Sequence, residues 1–212
     1  MEIYHKIPSA FKRDMEGTKK LMEDKFSMEE LEYLQDSQWI WKEKIDGMNM
    51  RIGWNGYVIT FNGRSDNAQI PGDLKDILNR IFVNEETAQI FEQKFGEKEV
   101  MLVGEGYGKG IQSGGCYRDH KGFILFDIKV GDTWLGYEDM CELAKAFNVD
   151  VVPVVFKGTI REVVEFVKSK PLSQVAQEDV EMEGVVGTPL VGLRDTRGNR
   201  IIVKIKGKDF VR

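Results

Sequence analysis

The residues best suited to chemistry in this 212-residue chain are lysines and carboxylates at short, regular spacings. Glu43-Lys44-Ile45-Asp46-Gly47 puts a lysine in a predicted strand with an aspartate two residues on, so strand alternation sets both side chains on one face. Lys204-Ile205-Lys206 repeats the device with two ammonium groups, and Glu183-Gly-Val-Val186 offers a carboxylate where an apolar strand begins. Glu105 ends another predicted strand, hemmed by glycines that let a ligand approach the backbone closely. Standing alone, a Lys-x-Asp-Gly reads as a surface ion pair and a glycine run as a turn-rich connection. Together these groups suit one reaction, nucleotidyl transfer through lysine. The amine attacks the α-phosphate of a nucleotide, other ammonium groups offset the phosphate charge, and carboxylates hold Mg²⁺. A free lysine titrates near ~10.4, so burial or neighbouring cations must favour the neutral, attacking amine.

Competing chemistries fail on spacing or composition. Gly104-Glu-Gly-Tyr-Gly-Lys-Gly110 invites a phosphate-loop reading, but Gly110 follows Lys109 where a Walker loop needs Ser or Thr. The dinucleotide Gly-x-Gly-x-x-Gly spacing is not met either. Two cysteines, Cys116 and Cys141, with His5 and His120, are too few for a structural zinc site or a disulfide framework, and suit a reducing cytosol. Apolar runs such as Phe123–Phe126 and Val151–Phe156 fall far short of the ~20 residues of a membrane helix. The start, MEIYHKIPSAFKRD, carries charges where a signal peptide is apolar. A cytoplasmic protein is expected.

The 30 Lys+Arg against 35 Asp+Glu argue against coating nucleic acid through bulk charge. Their distribution is uneven. Arg194 to Arg212 holds seven basic residues and two acids, whereas Met15 to Asp36 is acidic. With 42% hydrophobic and 31% charged residues the composition is globular, and no linker or repeat divides it. One domain over residues 1–212 is expected.

The elements that must position these residues follow from local signals. Ser27-Met-Glu-Glu30 reads as a capping box opening a helix to about Asp36. Strands are expected at Trp39–Asp46 and Asn49–Trp54, with Asn55-Gly56 as the hairpin turn before Tyr57–Phe61. Helices are expected at Asp73–Phe82 and from Asn84 to Gly96, then strands at Glu99–Val103 and Gly122–Val130. A helix at Glu138–Phe147, a buried strand at Val151–Phe156 and a helix capped by Thr159-Ile-Arg-Glu162 come next, before strands at Glu183–Val186 and Arg200–Lys206. Hairpins mixed with helices, without regular βαβ alternation, predict an α+β fold with antiparallel sheets flanked by helices.

In this order and spacing the segments resemble the covalent nucleotidyltransferases, the superfamily of ATP-dependent ligases and RNA capping enzymes, and within it the RNA ligases of the phage RNA ligase 2 branch. Lys44-Ile-Asp-Gly47 corresponds to the nucleophile motif, with Asn49 a feature of that branch. Gly63-Arg-Ser65 with Asp66 to Pro71 resembles the arginine motif, and Val103-Gly-Glu-Gly-Tyr-Gly108 the ribose-carboxylate motif. Phe123 to Ile128 is similar to the strand that stacks on adenine, while Glu183–Val186 and Lys204–Lys206 match the last two motifs. The similarity runs from about residue 4 to 210, including Phe11-Lys-Arg-Asp14.

The resemblance implies an ATP-grasp-like adenylation domain that uses ATP and Mg²⁺ (or Mn²⁺). Lys44 would carry AMP, Glu105 would accept ribose hydroxyls, and Phe126 would stack on the purine, unless its ring is ordinary core. Glu183 would bind metal or its waters. Lys204 and Lys206 would contact the α-phosphate and its neighbours, and Arg64 the phosphate or sugar. Glu43 and Asn49 join the nucleotide-binding set. Asp46 and Asp127 belong to the motifs without an assigned contact. The implied substrate is RNA with 5′-phosphate and 3′-hydroxyl ends, in the host cytoplasm if the chain is phage-encoded. After Lys206 only Gly207–Arg212 remain, so no OB domain is expected in this sequence, and a partner protein or domain is expected to aid end recognition. Ligation of DNA or mixed nicks, and a binding module without catalysis, are the alternatives.

Overall fold

The computed structural model of the chain describes residues 1–17 and 21–210; Thr18, Lys19 and Lys20 of the acidic run, and Val211 and Arg212 of the basic stretch, lie outside the described residues. In chain order come β1 (Phe11–Arg13), β2 (Leu21–Phe26), α1 (Glu30–Leu34), β3 (Trp39–Glu43), β4 (Met48–Trp54) and β5 (Ile59–Gly63). Next are α2 (Gly72–Phe82), α3 (Glu85–Phe95), β6 (Val100–Tyr107), β7 (Gly122–Val130), β8 (Thr133–Trp134) and α4 (Tyr137–Ala146). β9 (Asp150–Val151), β10 (Val154–Gly158), α5 (Ile160–Lys168), β11 (Gly184–Pro189) and β12 (Val203–Lys206) complete the order. The fold is α+β with antiparallel sheets, apart from the parallel pairing of β9 with β7 and a parallel bridge from Ser9 to Lys204. No helix among the described residues is long and apolar enough to cross a membrane.

The chain forms two compact units. One holds Met1–His5 and Asp46–Val152; the other holds Lys6–Ile45 and the described residues from Pro153 on. They are called here the Glu105 unit and the Lys44 unit.

In the Lys44 unit the sheet order is β10-β3-β11-β12. Alternation in β3 turns Trp39 and Trp41 into a core shared with Val185, Val203 and Ile205. Helix α5 buries Ile160, Val163, Val164 and Val167, the i, i+3, i+4, i+7 stripe, against the same core. Its capping box forms as expected: the Glu162 amide donates to Thr159 Oγ1 at 3.3 Å and the Thr159 amide to Glu162 Oε2 at 2.8 Å. The free edge of β12 is covered by residues 8–10, with Lys204 N–H donating to Pro8 O (2.9 Å) and Ala10 N–H to Lys204 O (3.0 Å).

In the Glu105 unit the order is β5-β4-β6-β7-β8. One sheet face buries Met50, Ile52, Leu102, Phe123, Leu125 and Ile128 with Leu74, Leu78, Phe82 and Phe91 of α2 and α3. On the other face Arg51 is fully buried. Its Nε donates to Gly63 O (2.8 Å), one terminal nitrogen to Glu2 O (2.6 Å) and the other to Asp66 Oδ1 (2.8 Å). One side chain thus ties β4 to the end of β5, to the following loop and to the N-terminal residues.

Several local expectations are corrected. The Ser27 capping box does not form, because the Ser27 hydroxyl donates to Ser9 O (2.5 Å) and its amide to Ala10 O (2.9 Å). α1 is a single short helix without a side-chain cap. The Asn55-Gly56 turn is four residues long, since Trp54 pairs with Ile59; Asn55 Oδ1 instead accepts the amides of Tyr57 and Val58. Val151–Phe156 is not one strand. It breaks at Val152-Pro153, where proline offers no amide, and the two pieces belong to different units. The sequence pattern also missed β1 and β2, whose exposed, charged residues carry little alternation.

Replacing Arg51 by methionine is expected to lower the unfolding free energy by about 2–3 kcal/mol in urea denaturation, since two carbonyls lose charged donors. A loss below ~0.5 kcal/mol, the scale of a neutral surface change, would show that the guanidinium is dispensable.

Candidate active site

The chemistry-bearing groups of the Lys44 unit converge on one carboxylate. Lys44 lies just beyond β3, and its amide donates to Gly184 O at 2.9 Å, holding it beside the start of β11. Its Nζ is 2.6 Å from Glu183 Oε2, and Lys206 Nζ pairs with Glu183 Oε1. Register explains the convergence: Gly184 opposes Lys206 across β11 and β12, so the residue before β11 meets the last residue of β12. Gly184 has φ +154°, and a Cβ there would come 2.2 Å from Ile205 O. Only glycine lets the two strands close at this point.

Lys204 and Lys206 share one face of β12, as the Lys-Ile-Lys alternation predicts, while Val203 and Ile205 point into the core. The Lys204 ammonium titrates below the ordinary lysine range. Burial is the main cause, the charges of Lys206, Lys44 and Lys6 add to it, and Glu183 opposes it. Lys6 is therefore a further cation of this cluster, brought there by the residue 8–10 segment along β12 and invisible to motif reading. Lys42 is another: Val186 opposes both Lys42 and Lys204, and alternation turns Lys42 away from the Trp39/Trp41 core toward the lysine face. Lys-Glu-Lys at positions 42–44 was the available signal.

Two expectations about this segment are corrected. Lys44 is not inside a strand sharing a face with Asp46, because β3 stops at Glu43 and Asp46 belongs to the Glu105 unit. Glu43, expected among the nucleotide contacts, is only 2% exposed, and its carboxylate accepts from the Ser173 hydroxyl and from the Gln174 amide at 2.9 Å. Burial pushes its pKa up against those two donors.

No group of three or more His, Cys, Asp or Glu among the described residues is arranged to hold a metal ion. Glu183 is a lone carboxylate between two ammonium groups. That donor set does not make a protein cage. It fits a magnesium-like ion held by one carboxylate while phosphate oxygens and waters complete the coordination.

The remaining sequence-derived residues lie in the Glu105 unit. Asn49 opposes Glu105 across β4 and β6, and Glu105 opposes Ile124 across β6 and β7, all on the face away from the helices. Glu105 sits within β6 rather than at a strand end, because pairing continues past it, with β4 to Gly106 and with β7 to Tyr107. The register of β7 slips between Leu125 and Asp127, leaving Phe126 as the extra residue of a bulge. A bulge re-aims a side chain, and Phe126 is absent from the helix-facing core. Tyr4 packs edge-on against Phe126 at 5.6 Å and donates its hydroxyl to Asp127 Oδ2 at 2.6 Å. Asp46 accepts from the Ser113 amide at 3.4 Å, and its own amide donates to the Tyr117 hydroxyl at 3.2 Å. Gly47 is required by close approach: a Cβ would lie 2.4 Å from Gly106 O and 2.7 Å from Glu105 Cγ. Arg64 is exposed in the loop that Arg51 anchors. Tyr4 and Arg51 were missed because their partners are distant in sequence.

The lysine cluster carries a stability cost with a definite pH dependence. The lowered folded-state pKa of Lys204 means that protonation is less favourable in the folded than in the unfolded chain. The penalty is complete below the lowered value and fades as pH rises to the ordinary lysine range. Lys204→Met, which keeps the apolar stem, is thus expected to raise the melting temperature near pH 7 by about 2–4 °C, the equivalent of ~1 kcal/mol, and by less at alkaline pH. A lower melting temperature, or a gain that grows with pH, contradicts this.

Comparisons with known proteins agree with the fold. Among curated proteins none matches the sequence. Solved structures of the RNA ligase of Naegleria gruberi are similar. A variant without ligand gives TM-score 0.64 at 20% identity over 84% of this chain and 52% of that one. A variant with ATP and Mn gives 0.65 at 20% identity over 85% and 53%. Another with AMP and Mn gives 0.63 at 16% identity over 96% and 62%. This chain spans about half the length of the first two, and the likeness establishes the nucleotidyltransferase-like fold. The family model for RNA ligase matches residues 37–206, from just before β3 to the end of β12. This chain belongs to the RNA ligase family.

Proposed function

We propose that this chain is the nucleotidyl-transferring part of an ATP-dependent RNA ligase of the phage RNA ligase 2 type, its two units serving one adenylation domain. The observation that carries this reading is Lys44 held by Glu183 together with Lys206, within the segment that matches the RNA ligase family. Lys44 Nζ attacks the α-phosphorus of ATP. A P–N bond forms as the bond to the bridging oxygen breaks, and pyrophosphate leaves with the electron pair. The ammonium must first give up a proton, and Glu183 Oε2 at 2.6 Å is within reach to accept it. Lys204 and Lys206 offset the charge on the phosphates. A divalent ion held by Glu183 with the phosphates, as the ATP-and-Mn relative suggests, would supply further charge neutralisation. AMP then passes from Lys44 to an RNA 5′-phosphate, and the RNA 3′-hydroxyl attacks that phosphate and releases AMP.

In the Glu105 unit the roles carried over from the resemblance are proposed residue by residue. Glu105 accepts ribose hydroxyls, and the re-aimed Phe126 stacks on the purine, a contact worth about 1–3 kcal/mol for an exposed base. Asn49 and Arg64 contact sugar or phosphate. The same reading carries a cytoplasmic location, 5′-phosphate and 3′-hydroxyl ends as the RNA substrate, and a partner protein or domain for end recognition.

Incubation with Mg²⁺ and α-labelled ATP, followed by denaturation, is expected to leave label on the protein. Lys44→Ala and Lys44→Arg should each remove it, arginine because it stays protonated. GTP should label far less than ATP, and RNA ends should be sealed in preference to DNA ends. Label persisting in both Lys44 variants, or equal labelling from GTP, would overturn the assignment.

A further inference from the structure

Glu43 precedes the proposed nucleophile, yet alternation turns it away from Lys44 and the lysine face. It is among the most enclosed charged groups of the chain, at 2% exposure. Both carboxylate oxygens are used: Oε1 accepts from the Ser173 hydroxyl and Oε2 from the Gln174 amide. Ser173 Oγ in turn accepts the amides of Val175 (3.1 Å) and Ala176 (3.0 Å), so one carboxylate and one hydroxyl organise four consecutive residues. The segment is closed at its base by Ser173 N–H to Val180 O, by Met182 N–H to Pro171 O, both 2.9 Å, and by an antiparallel bridge from Leu172 to Glu181. The chain leaving this loop reaches Met182, buried in the core, and then Glu183. Glu43 also opposes Val185 across β3 and β11. The residues flanking Lys44 and Glu183 are therefore joined twice, once by the strand ladder and once through the loop.

We propose that Glu43 is a positioning residue, which anchors loop 173–182 to the nucleophile's strand and through it fixes the Glu183 carboxylate that holds Lys44. The proposal rests on reading Lys44 as the nucleophile. A direct nucleotide contact by the Glu43 carboxylate is disfavoured by its burial and by the occupation of both oxygens. Glutamine in its place keeps one acceptor oxygen and turns the other into an amide nitrogen, which cannot accept from the Ser173 hydroxyl or from the Gln174 amide, whichever it faces. The four-residue turn would then lose its anchor.

Three variants of the full chain test this: Glu43→Gln, Ser173→Ala and the double substitution. Single-turnover self-adenylation is expected to slow ~tenfold in Glu43→Gln and ~threefold in Ser173→Ala, with the ATP concentration for half-maximal rate within about twofold of the parent. The double variant should be no slower than Glu43→Gln, since both act through one network. Ser173→Thr, which keeps the hydroxyl, should restore the parental rate. Separately and without ATP, acetylation of Lys44 by an N-hydroxysuccinimide ester, located by peptide mass spectrometry, should rise ~threefold or more in both single variants as the ion pair loosens. Acetylation of Lys129, in the other unit, should not change. An additive double variant, a rise in half-maximal ATP concentration at unchanged rate, or unchanged Lys44 acetylation would overturn the proposal. If the parent protein takes no AMP, the ligase reading fails, and the acetylation result still decides whether Glu43 positions Lys44. Should Glu43→Gln fail to fold, Ser173→Ala, which deletes one oxygen, decides alone.

Discussion

One carboxylate, Glu183, holds two ammonium groups, Lys44 and Lys206, and the arrangement of the Lys44 unit depends on keeping it there. An ammonium-rich sheet face is unfavourable for a folded chain; burial first, and the neighbouring lysine charges after it, hold the Lys204 ammonium below the ordinary lysine range. Lys6, Lys42, Lys44, Lys204 and Lys206 all belong to it, and Glu183 is the acid that pairs with two of them. The unit tolerates this concentration of charge because the opposite sheet face is a dense apolar core. The stacked Trp39 and Trp41 rings and the valine stripe of α5 supply it. A lysine cluster of this kind is expected to be more stable without one of its members, which is the usual relation between a charged cluster and its fold.

The second recurring constraint is close backbone approach. Gly184 lets β11 start against β12 beside Glu183, and Gly47 lets β4 start against Gly106 and Glu105. In each case a glycine adjoins one of the candidate carboxylates, Glu183 or Glu105, for a steric reason. The bulge in β7 answers the same need in another way. By inserting Phe126 it shifts the phase of the strand, so that Ile128 returns to the core while Asp127 reaches Tyr4.

Lys204 and Lys206 were legible in the sequence because a period of two is a strong signal when the intervening residues are apolar. The helices α2, α3 and α5 were legible for the matching reason, with Asn84 and Thr159 as working caps. Ser27 carried the same signal as Thr159 and failed, because a chain neighbour seventeen residues upstream, Ala10, and Ser9 beside it claimed its polar groups. Lys44 and Asp46 were placed on one strand face because nothing in Lys-Ile-Asp-Gly marks where pairing stops. Glu43 looked like a site residue from its neighbour, and the burial of its carboxylate against Ser173 was silent in the sequence because that partner lies 130 residues away. Arg51 and Tyr4 were silent for the same reason. Motif order carried the family; long-range hydrogen bonds carried the positioning.

Lys44 is proposed, among several neighbouring lysines, as the amine that takes the nucleotide. The most direct measurement is to incubate the protein with ATP and Mg²⁺, digest it, and locate the AMP by tandem mass spectrometry. The adduct is expected on Lys44, with Lys6, Lys42, Lys204 and Lys206 unmodified. AMP on any of those four, or no adduct at all, would contradict it.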